Sequence, residues 1–292
     1  MIHSWQIGDV KVTSLVEYFA PTHDPAFLFP DYVPAVLETN RSWLEGVHWF
    51  PQMNRLVIAI QIWIVHAGGN VIVVDTGVGN GKPRTAARMN HLNSLVPAWM
   101  AAAGAAPDQV THVVMTHLHA DHVGWNTVWD GSRWVPTFPK ARYFLPKDDF
   151  AYFRDFDAKN PAADGGSFTD SVMPIVDTGL VEFIDGQKTI ADCLEVVPAP
   201  GHTPGQLSYW VRSQGDVGVF SADIFHHPLQ IVEPDWNTAF CVLSDAARAT
   251  RAAFLAKAAD TGALVMPCHF APPHCGFIRR AGDGFAFEPA SL

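Results

Sequence analysis

Thr116-His117-Leu118-His119-Ala120-Asp121-His122 packs three imidazoles and a carboxylate into the six residues from His117 to His122. Neutral imidazole and carboxylate are the donors that borderline divalent metals such as zinc accept. On an extended or loop backbone, side chains two apart point the same way, so His117 and His119 can grip one ion. Asp121 and His122 lie on the turn beyond and can reach a second. An apolar run, 110–115, leads into the motif, and Gly124 follows it. This context fits a site opening at the end of a buried strand better than histidines on a solvated loop. Three later stretches sit in the same position relative to strand-like runs. Pro200-Gly201-His202-Thr203-Pro204-Gly205 offers His202, Ser221-Ala222-Asp223 offers a carboxylate, and Pro267-Cys268-His269 offers His269.

Such groups meet only if the strands before them end together. Residues 55–65 and 71–74, rich in Val and Ile and joined at Gly68-Gly69-Asn70, read as a strand pair, and 110–115 as a buried strand. A hairpin is expected over 5–13 around Gly8-Asp9. A helix is expected over 94–103, with Ser94 as its N-cap and Gly104 ending it. In the second half, 195–198, 206–211 and 217–221 read as strands. Residues 244–259 read as an Ala-rich helix with Ser244 at its cap, 263–266 as a last core strand, and 277–287 as a closing hairpin about Gly282-Asp283-Gly284. Two successive sheet-and-helix blocks predict an α/β layered sandwich with helices outside. With no internal repeat or low-complexity linker, one domain over 1–292 is the simplest organisation. Residues 21–52 resist the pattern, since five prolines alternate there with Phe27, Phe29, Tyr32, Trp43, Trp49 and Phe50. They read either as a packed irregular loop, as a lid or pocket wall for an apolar substrate, or as a dimer contact.

The 292 residues are 48% apolar and 16% charged, with a formal net charge of −10. This composition suits a compact enzyme. The acidic balance and the lack of any basic run exclude broad nucleic-acid binding. The N-terminus has no basic region followed by an apolar one, and no apolar stretch reaches membrane-spanning length, so a cytoplasmic protein with no membrane partner is expected. Four cysteines are too few for a disulfide scaffold at this length. Cys268 reads as a buried small side chain rather than a nucleophile. Trp125, Trp129 and Trp134 read equally as pocket lining or as packing. The loop 77–82 fits neither glycine-rich phosphate motif, and no G-x-S-x-G is present.

Together H-x-H-x-D-H, G-H-T-P-G, S-A-D and P-C-H resemble the metallo-β-lactamase superfamily, and their order matches along most of the chain. The resemblance implies an αββα four-layer sandwich with the site at one edge of two facing sheets. It implies that His117, His119 and His202 hold one metal, that Asp121, His122 and His269 hold a second, and that Asp223 bridges them. It also implies that Asp75, in Val73-Val74-Asp75-Thr76-Gly77, orients a ligand imidazole by hydrogen bond. Two divalent ions are expected, zinc first, with Mn, Fe and Co also accepted by such donors. A water or hydroxide held between two cations has its pKa pulled toward neutrality. The expected chemistry is its attack on an ester-like carbonyl or phosphoryl centre, with Asp121 assisting proton movement.

An aspartate at the bridging position disfavours antibiotic hydrolysis within this superfamily. The acidic balance disfavours a ribonuclease-Z-like role, and the lack of a Lys/Arg-rich C-terminal region disfavours a glyoxalase-II-like thioesterase. Lactone or carboxylic-ester hydrolysis, with a small apolar substrate, is the main expectation. Organophosphate-triester hydrolysis is the alternative, and a mononuclear iron persulfide dioxygenase is a more distant one. His226, three residues after Asp223, stands where quorum-quenching lactonases often carry tyrosine and looks more like the methyl-parathion-hydrolase branch. It is expected as an oxyanion donor, a support for the site, or a packing residue. His3, His23, His48, His66, His91 and His112 are expected to be structural or exposed.

Overall fold

Alternation along the strand Arg55–Ala67 sets the architecture. Ile62 and Ile64 point to one face and Trp63 and Val65 to the other, and all four are fully buried. A strand that is apolar on both faces must be covered on both. The computed structural model, which describes residues 2–161 and 163–291, shows how. The strand lies inside a sheet ordered Ile2–Ile7, Val10–His23, Arg55–Ala67, Asn70–Val74, His112–Val114, Arg142–Pro146, Val181–Ile184, with Trp49–Phe50 also pairing to Arg55–Ala67. The first members are antiparallel; from Asn70–Val74 onward the neighbours run parallel.

A second sheet is ordered Thr189–Ile190, Leu194–Pro198, Leu207–Ser213, Asp216–Ala222, Leu264–Pro267, Gly276–Ala281, Gly284–Pro289. Trp63, Ile72, Val74 and Val114 of the first sheet share one buried cluster with Tyr209, Val211, Phe220 and Met266 of the second. The alternate residues, Ile62, Val73 and Val113, face outward onto Val96 and Met100 of the helix Val96–Ala102 and onto Phe153 of the helix Lys147–Lys159. On the far side Trp210, Val219 and Val265 meet Phe254, Leu255 and Ala258 of the helix Ser244–Thr261. The four layers are helix, sheet, sheet, helix, the αββα sandwich that the motifs imply.

Several local expectations are corrected. The helix expected at 94–103 covers Val96–Ala102, with Pro97 in its first turn and Leu95 at the cap position. Ser94 does not cap it, because its backbone N–H and its hydroxyl both donate to Asn80 Oδ1, at 2.7 and 3.1 Å. Ser244 is the first helical residue rather than a capping one, and no side chain caps that end. The buried strand before the motif is shorter than 110–115, spanning His112–Val114. Residues 21–52 are not an irregular loop. They hold the helices Pro25–Leu28, Pro34–Thr39 and Arg41–Leu44 and the strand Trp49–Phe50, with proline in the first turn of two of the helices, where its fixed φ fits. Leu28, Phe29, Leu37 and Leu44 form a buried cluster there with Trp49, Leu56 and Trp236. Trp125 is buried, Trp129 and Trp134 pack on each other across the ribbon Thr127–Trp129 with Trp134–Pro136, and none of the three lines the main cavity.

Three histidines outside the motifs are enclosed in neutral form. His227 Nε2–H donates to His48 O at 3.0 Å while Nδ1 accepts from Leu229 N–H at 3.2 Å, so both ring atoms are committed and a second proton would break a bond. Burial, with His48 close by, pushes its pKa down to about 3. Burial pushes His48 and His274 down to about 4 each. Unfolded imidazole titrates near 6.5, so from about pH 6.5 down to 4 the unfolded chain binds protons that the fold refuses. Stability is therefore expected to fall as pH drops through that window. Urea unfolding at a series of pH values would show it. His227→Gln, which keeps one donor and one acceptor, is expected to shallow the decline by up to about 1.4 kcal/mol per pH unit; an unchanged slope would show that His227 is not buried neutral.

Candidate metal centre

Each chemically promising residue follows a strand that ends at the same edge of the two sheets. Asn70–Val74 delivers Asp75, His112–Val114 delivers the 116–122 segment, Asp216–Ala222 delivers Asp223, and Leu264–Pro267 delivers His269. The chain turns sharply at Asp75 and Ala222, whose φ angles are +53° and +52°. Such left-handed backbone is uncommon outside glycine and concentrates at functional turns. Gly124 lets the motif close against the loop after Asp75: its N–H donates to Gly77 O at 2.7 Å, and a β-carbon there would lie 1.9 Å from the Val78 carbonyl.

The imidazoles converge. His117 Nε2 lies 3.1 Å from His119 Nδ1, which lies 2.8 Å from His202 Nε2, so three nitrogens face one point. Asp223 sits beside them, its Oδ2 being 3.3 Å from His202 Nε2 and 3.7 Å from His117 Nε2. On its other side Oδ2 is 3.1 Å from His269 Nε2 and Oδ1 is 3.4 Å from His122 Nε2. Asp121 completes the second group, with oxygens 3.9 Å from His122 Nε2 and from His269 Nε2. The structure thus brings together all seven ligand positions expected from the sequence, with Asp223 between two groups.

These donors fit a divalent cation. His122 Nε2 and Asp223 Oδ1 are buried and have no hydrogen-bond partner among the described residues. The opposite ring nitrogens are taken. His122 Nδ1–H donates to Asp75 Oδ2 at 2.9 Å, and His269 Nδ1–H donates to Ala59 O at 2.8 Å. The Thr116 hydroxyl, itself donating to Asp75, accepts from His117 Nδ1–H at 3.0 Å. A proton fixed on Nδ1 leaves the Nε2 lone pair directed at the centre. Burial holds His117 and His202 well below the usual imidazole pKa, hence neutral. Burial also opposes charge on His122, but Asp223, Asp75 and Asp121 outweigh it and raise its pKa well above the usual value. Three carboxylates around one buried imidazole mark a place that demands positive charge.

Asp75 does more than orient one imidazole. It also accepts from Thr116 N–H at 2.8 Å, from the Thr116 hydroxyl at 2.7 Å and from Cys268 Sγ at 3.4 Å. Cys268 is thus a buried thiol tied to Asp75, and burial raises its pKa far from the thiolate range. His226 is placed directly in the site. Its Nε2 lies 3.1 Å from Asp223 Oδ2, its ring stacks on His269 at 5.2 Å, and its backbone N–H donates to Gln230 Oε1 at 2.7 Å.

The centre opens on a cavity of about 520 Å³ through its two partly exposed ligands, His119 and Asp121. Phe27, Leu28, Ile58, Met89 and Phe240 give that cavity its apolar wall, so residues 21–52 do contribute to a pocket wall. Two acids not singled out in the sequence hold the ligand loops. Asp149, from the helix Lys147–Lys159, accepts from the Thr203 hydroxyl at 2.8 Å and from Gly205 N–H, seating His202. Glu17 accepts from Val78 N–H, Gly79 N–H and Trp125 Nε1–H, although burial pushes its carboxyl up to about 7. His23, expected to be merely structural or exposed, lines the cavity. All three depend on contacts between distant segments, and no local spacing marks them.

A family model described as the metallo-beta-lactamase superfamily matches residues 57–269. YybB of Bacillus subtilis (strain 168), described as a probable metallo-hydrolase, is 24% identical over 190 residues, which is 62% of this chain and 72% of that protein. Among solved structures, AidC, a dizinc quorum-quenching lactonase in complex with a product, is similar with a TM-score of 0.79 at 22% identity, over 100% of this chain and 98% of that one. AbOPH, a hydrolase in the beta lactamase superfamily, has a TM-score of 0.82 at 23% identity, with the same coverage. At such identities the two structures speak to the fold. The role of Asp75 is open to direct measurement. Asp75→Ala is expected to weaken metal affinity about 10- to 100-fold in competition with a chromogenic chelator, whereas His112→Ala, outside the centre, should leave it unchanged.

Proposed function

Since the chain belongs to the metallo-beta-lactamase superfamily, we propose that this metal-dependent hydrolase carries two divalent ions, zinc first, and cleaves lactones or carboxylic esters with apolar substituents. The observation that carries this reading is Asp223, whose two oxygens lie 3.1 to 3.7 Å from imidazole nitrogens of both ligand groups. A carboxylate so placed can be shared by two cations. His117, His119 and His202 would hold one ion and Asp121, His122 and His269 the other. When bound, the ions supply a water of lowered pKa and a Lewis acid for the carbonyl.

The chain's own residues do the rest. Asp75, Thr116 and Ala59 O occupy the outer ring nitrogens of His117, His122 and His269, so that their Nε2 atoms would be the ones to hold the ions. Asp121, partly open to the cavity, is the group placed to take a proton from the attacking water and return it to the leaving alkoxide. His226, whose Nε2 lies 3.1 Å from Asp223 Oδ2, flanks the shared carboxylate beside the reacting carbonyl. Phe27, Leu28, Ile58, Met89 and Phe240 exclude water and match an acyl or alkyl substituent.

Zinc-loaded protein assayed on lactones, nitrophenyl esters, a thioester and methyl parathion tests the reading. Turnover of lactones or esters that drops by more than about a hundredfold in Asp223→Ala is the expected result. Activity confined to the phosphotriester would instead establish the organophosphate alternative. Silence across the panel, with metals verified in place, would sink the substrate class.

A further inference from the structure

Arg88 stands apart from the other arginines. Arg41, Arg55, Arg84, Arg133, Arg142, Arg154, Arg212, Arg248, Arg279 and Arg280 are all ion-paired to a carboxylate. Arg251 is buried among three acceptors, Ile224 O, Pro234 O and Asn237 Oδ1. Arg88 is half-buried in the wall of the cavity that holds the metal centre, and among the described residues its guanidinium has one side-chain partner, a neutral one. Its Nη2 donates to His23 Nε2 at 3.2 Å. His23 Nδ1–H in turn donates to Thr22 Oγ1 at 2.9 Å, which fixes the tautomer that leaves Nε2 as acceptor. Burial and the adjacent Arg88 push the His23 pKa down to about 3, so it supplies no countercharge and none of its own charge competes.

The segment that presents Arg88 is rigidly mounted. Arg84 donates to both oxygens of buried Asp170, at 2.7 and 3.0 Å. Lys82 Nζ donates to Thr127 Oγ1 at 2.7 Å and lies 3.7 Å from the centre of the Trp134 ring. At the far end His91 N–H donates to Lys82 O at 2.8 Å, and Asn90 Oδ1 accepts from Arg84 N–H at 2.9 Å. Between these ties Thr85, Ala86, Arg88 and Met89 line the cavity. Gly165 packs under it so tightly that a β-carbon would lie 2.2 Å from Pro83 O. A cation is therefore held in a partly apolar wall, with no carboxylate of the described residues within ion-pair distance, although Asp121, Asp164 and Asp223 line the same cavity. A planar guanidinium in that setting is a fork for two oxygens.

We propose that Arg88, positioned by His23, is a specificity-determining residue that binds a carboxylate carried by the substrate away from the scissile bond. The natural substrates are then lactones or esters with an apolar spacer ending in a carboxylate. The hydrolytic half of this statement rests on the function proposed above; the recognition half does not.

Two assays on metal-loaded protein separate them. In the first, kcat/KM is compared for the mono-4-nitrophenyl ester of glutaric acid and for the same ester with its free carboxylate replaced by a carboxamide. In the second, calorimetry compares binding of glutaric acid monoanilide with that of its carboxamide counterpart, neither of which is an ester. The wild type is expected to favour the acid member of each pair by about ten- to a hundredfold. Arg88→Gln should bring both ratios near one, and Arg88→Lys should restore part of the preference, since charge returns without the fork. Circular dichroism of each variant checks that the fold is kept. No preference in the wild type, or a preference that survives Arg88→Gln because the metals alone bind the carboxylate, would overturn the inference. If neither ester is hydrolysed but the anilide pair separates and Arg88→Gln closes the gap, recognition by Arg88 stands and the ester reading falls.

Discussion

One buried carboxylate, Asp75, ties the centre together. It accepts from Thr116 N–H, the Thr116 hydroxyl, His122 Nδ1–H and Cys268 Sγ, so it gathers the start of the histidine motif, its end, and the residue before His269. A charge without water is tolerable only when its lone pairs are filled, and here four donors fill them. In exchange the donors lose their freedom. The His122 ring is fixed in one tautomer, and the His117 ring follows through Thr116. The turn needed to aim Asp75 this way costs backbone strain at φ +53°, a cost of order 1–3 kcal/mol that the surrounding bonds offset.

Around that hub, the two sheets do the coarse positioning. Strands packed on both faces cannot slip by one residue without undoing the close side-chain packing of both layers, so their ends are fixed relative to one another. Four strand ends then deliver Asp75, the 116–122 segment, Asp223 and His269 to one edge, and Asp149 seats the loop of His202 against it. The electrostatics follow from burial and from the carboxylates. Burial keeps His117 and His202 neutral, while Asp75, Asp121 and Asp223 concentrate negative charge around His122, where a cation is wanted.

The cavity walls are built differently. They come from loops and short helices, each held by its own buried anchor. Lys82, Arg84 and Asp170 carry one wall, and the cluster of Leu28, Phe29, Trp49 and Trp236 carries the other. Burial lowers the Lys82 pKa to about 8 even with Asp170 beside it, a sign of how dry that anchor is. Anchors of this kind let wall residues such as Phe27, Arg88 and Phe240 vary without disturbing the ligands, which is how one metal centre can serve many substrates.

The candidate ligand residues were legible in the sequence because metal chemistry restricts their type and the strand-end context restricts their spacing. His117, His119, Asp121, His122, His202, Asp223 and His269 could be picked from their motifs alone, and nearly continuous Val- and Ile-rich runs such as 55–65 gave away the main strands. Helix ends were less legible, since Ser94 looked like a cap until Asn80, far along the fold, claimed both its donors. Residues 21–52 looked irregular because their short helices draw stability from a tertiary cluster rather than from any repeat. Glu17, Asp149, His23 and Arg88 carry no local signal at all. Their roles arise from partners many residues away, as when Trp125 meets Glu17 or His23 meets Arg88. What the sequence alone determined was which atoms could bind a metal and the strands they follow, because those are properties of residue type and periodicity. The convergence of those atoms on one point, the tautomers that aim them and the placing of Arg88 in the cavity wall, without an ion-pair partner among the described residues, were decided by the tertiary structure, because each is a distance between segments that no local pattern encodes.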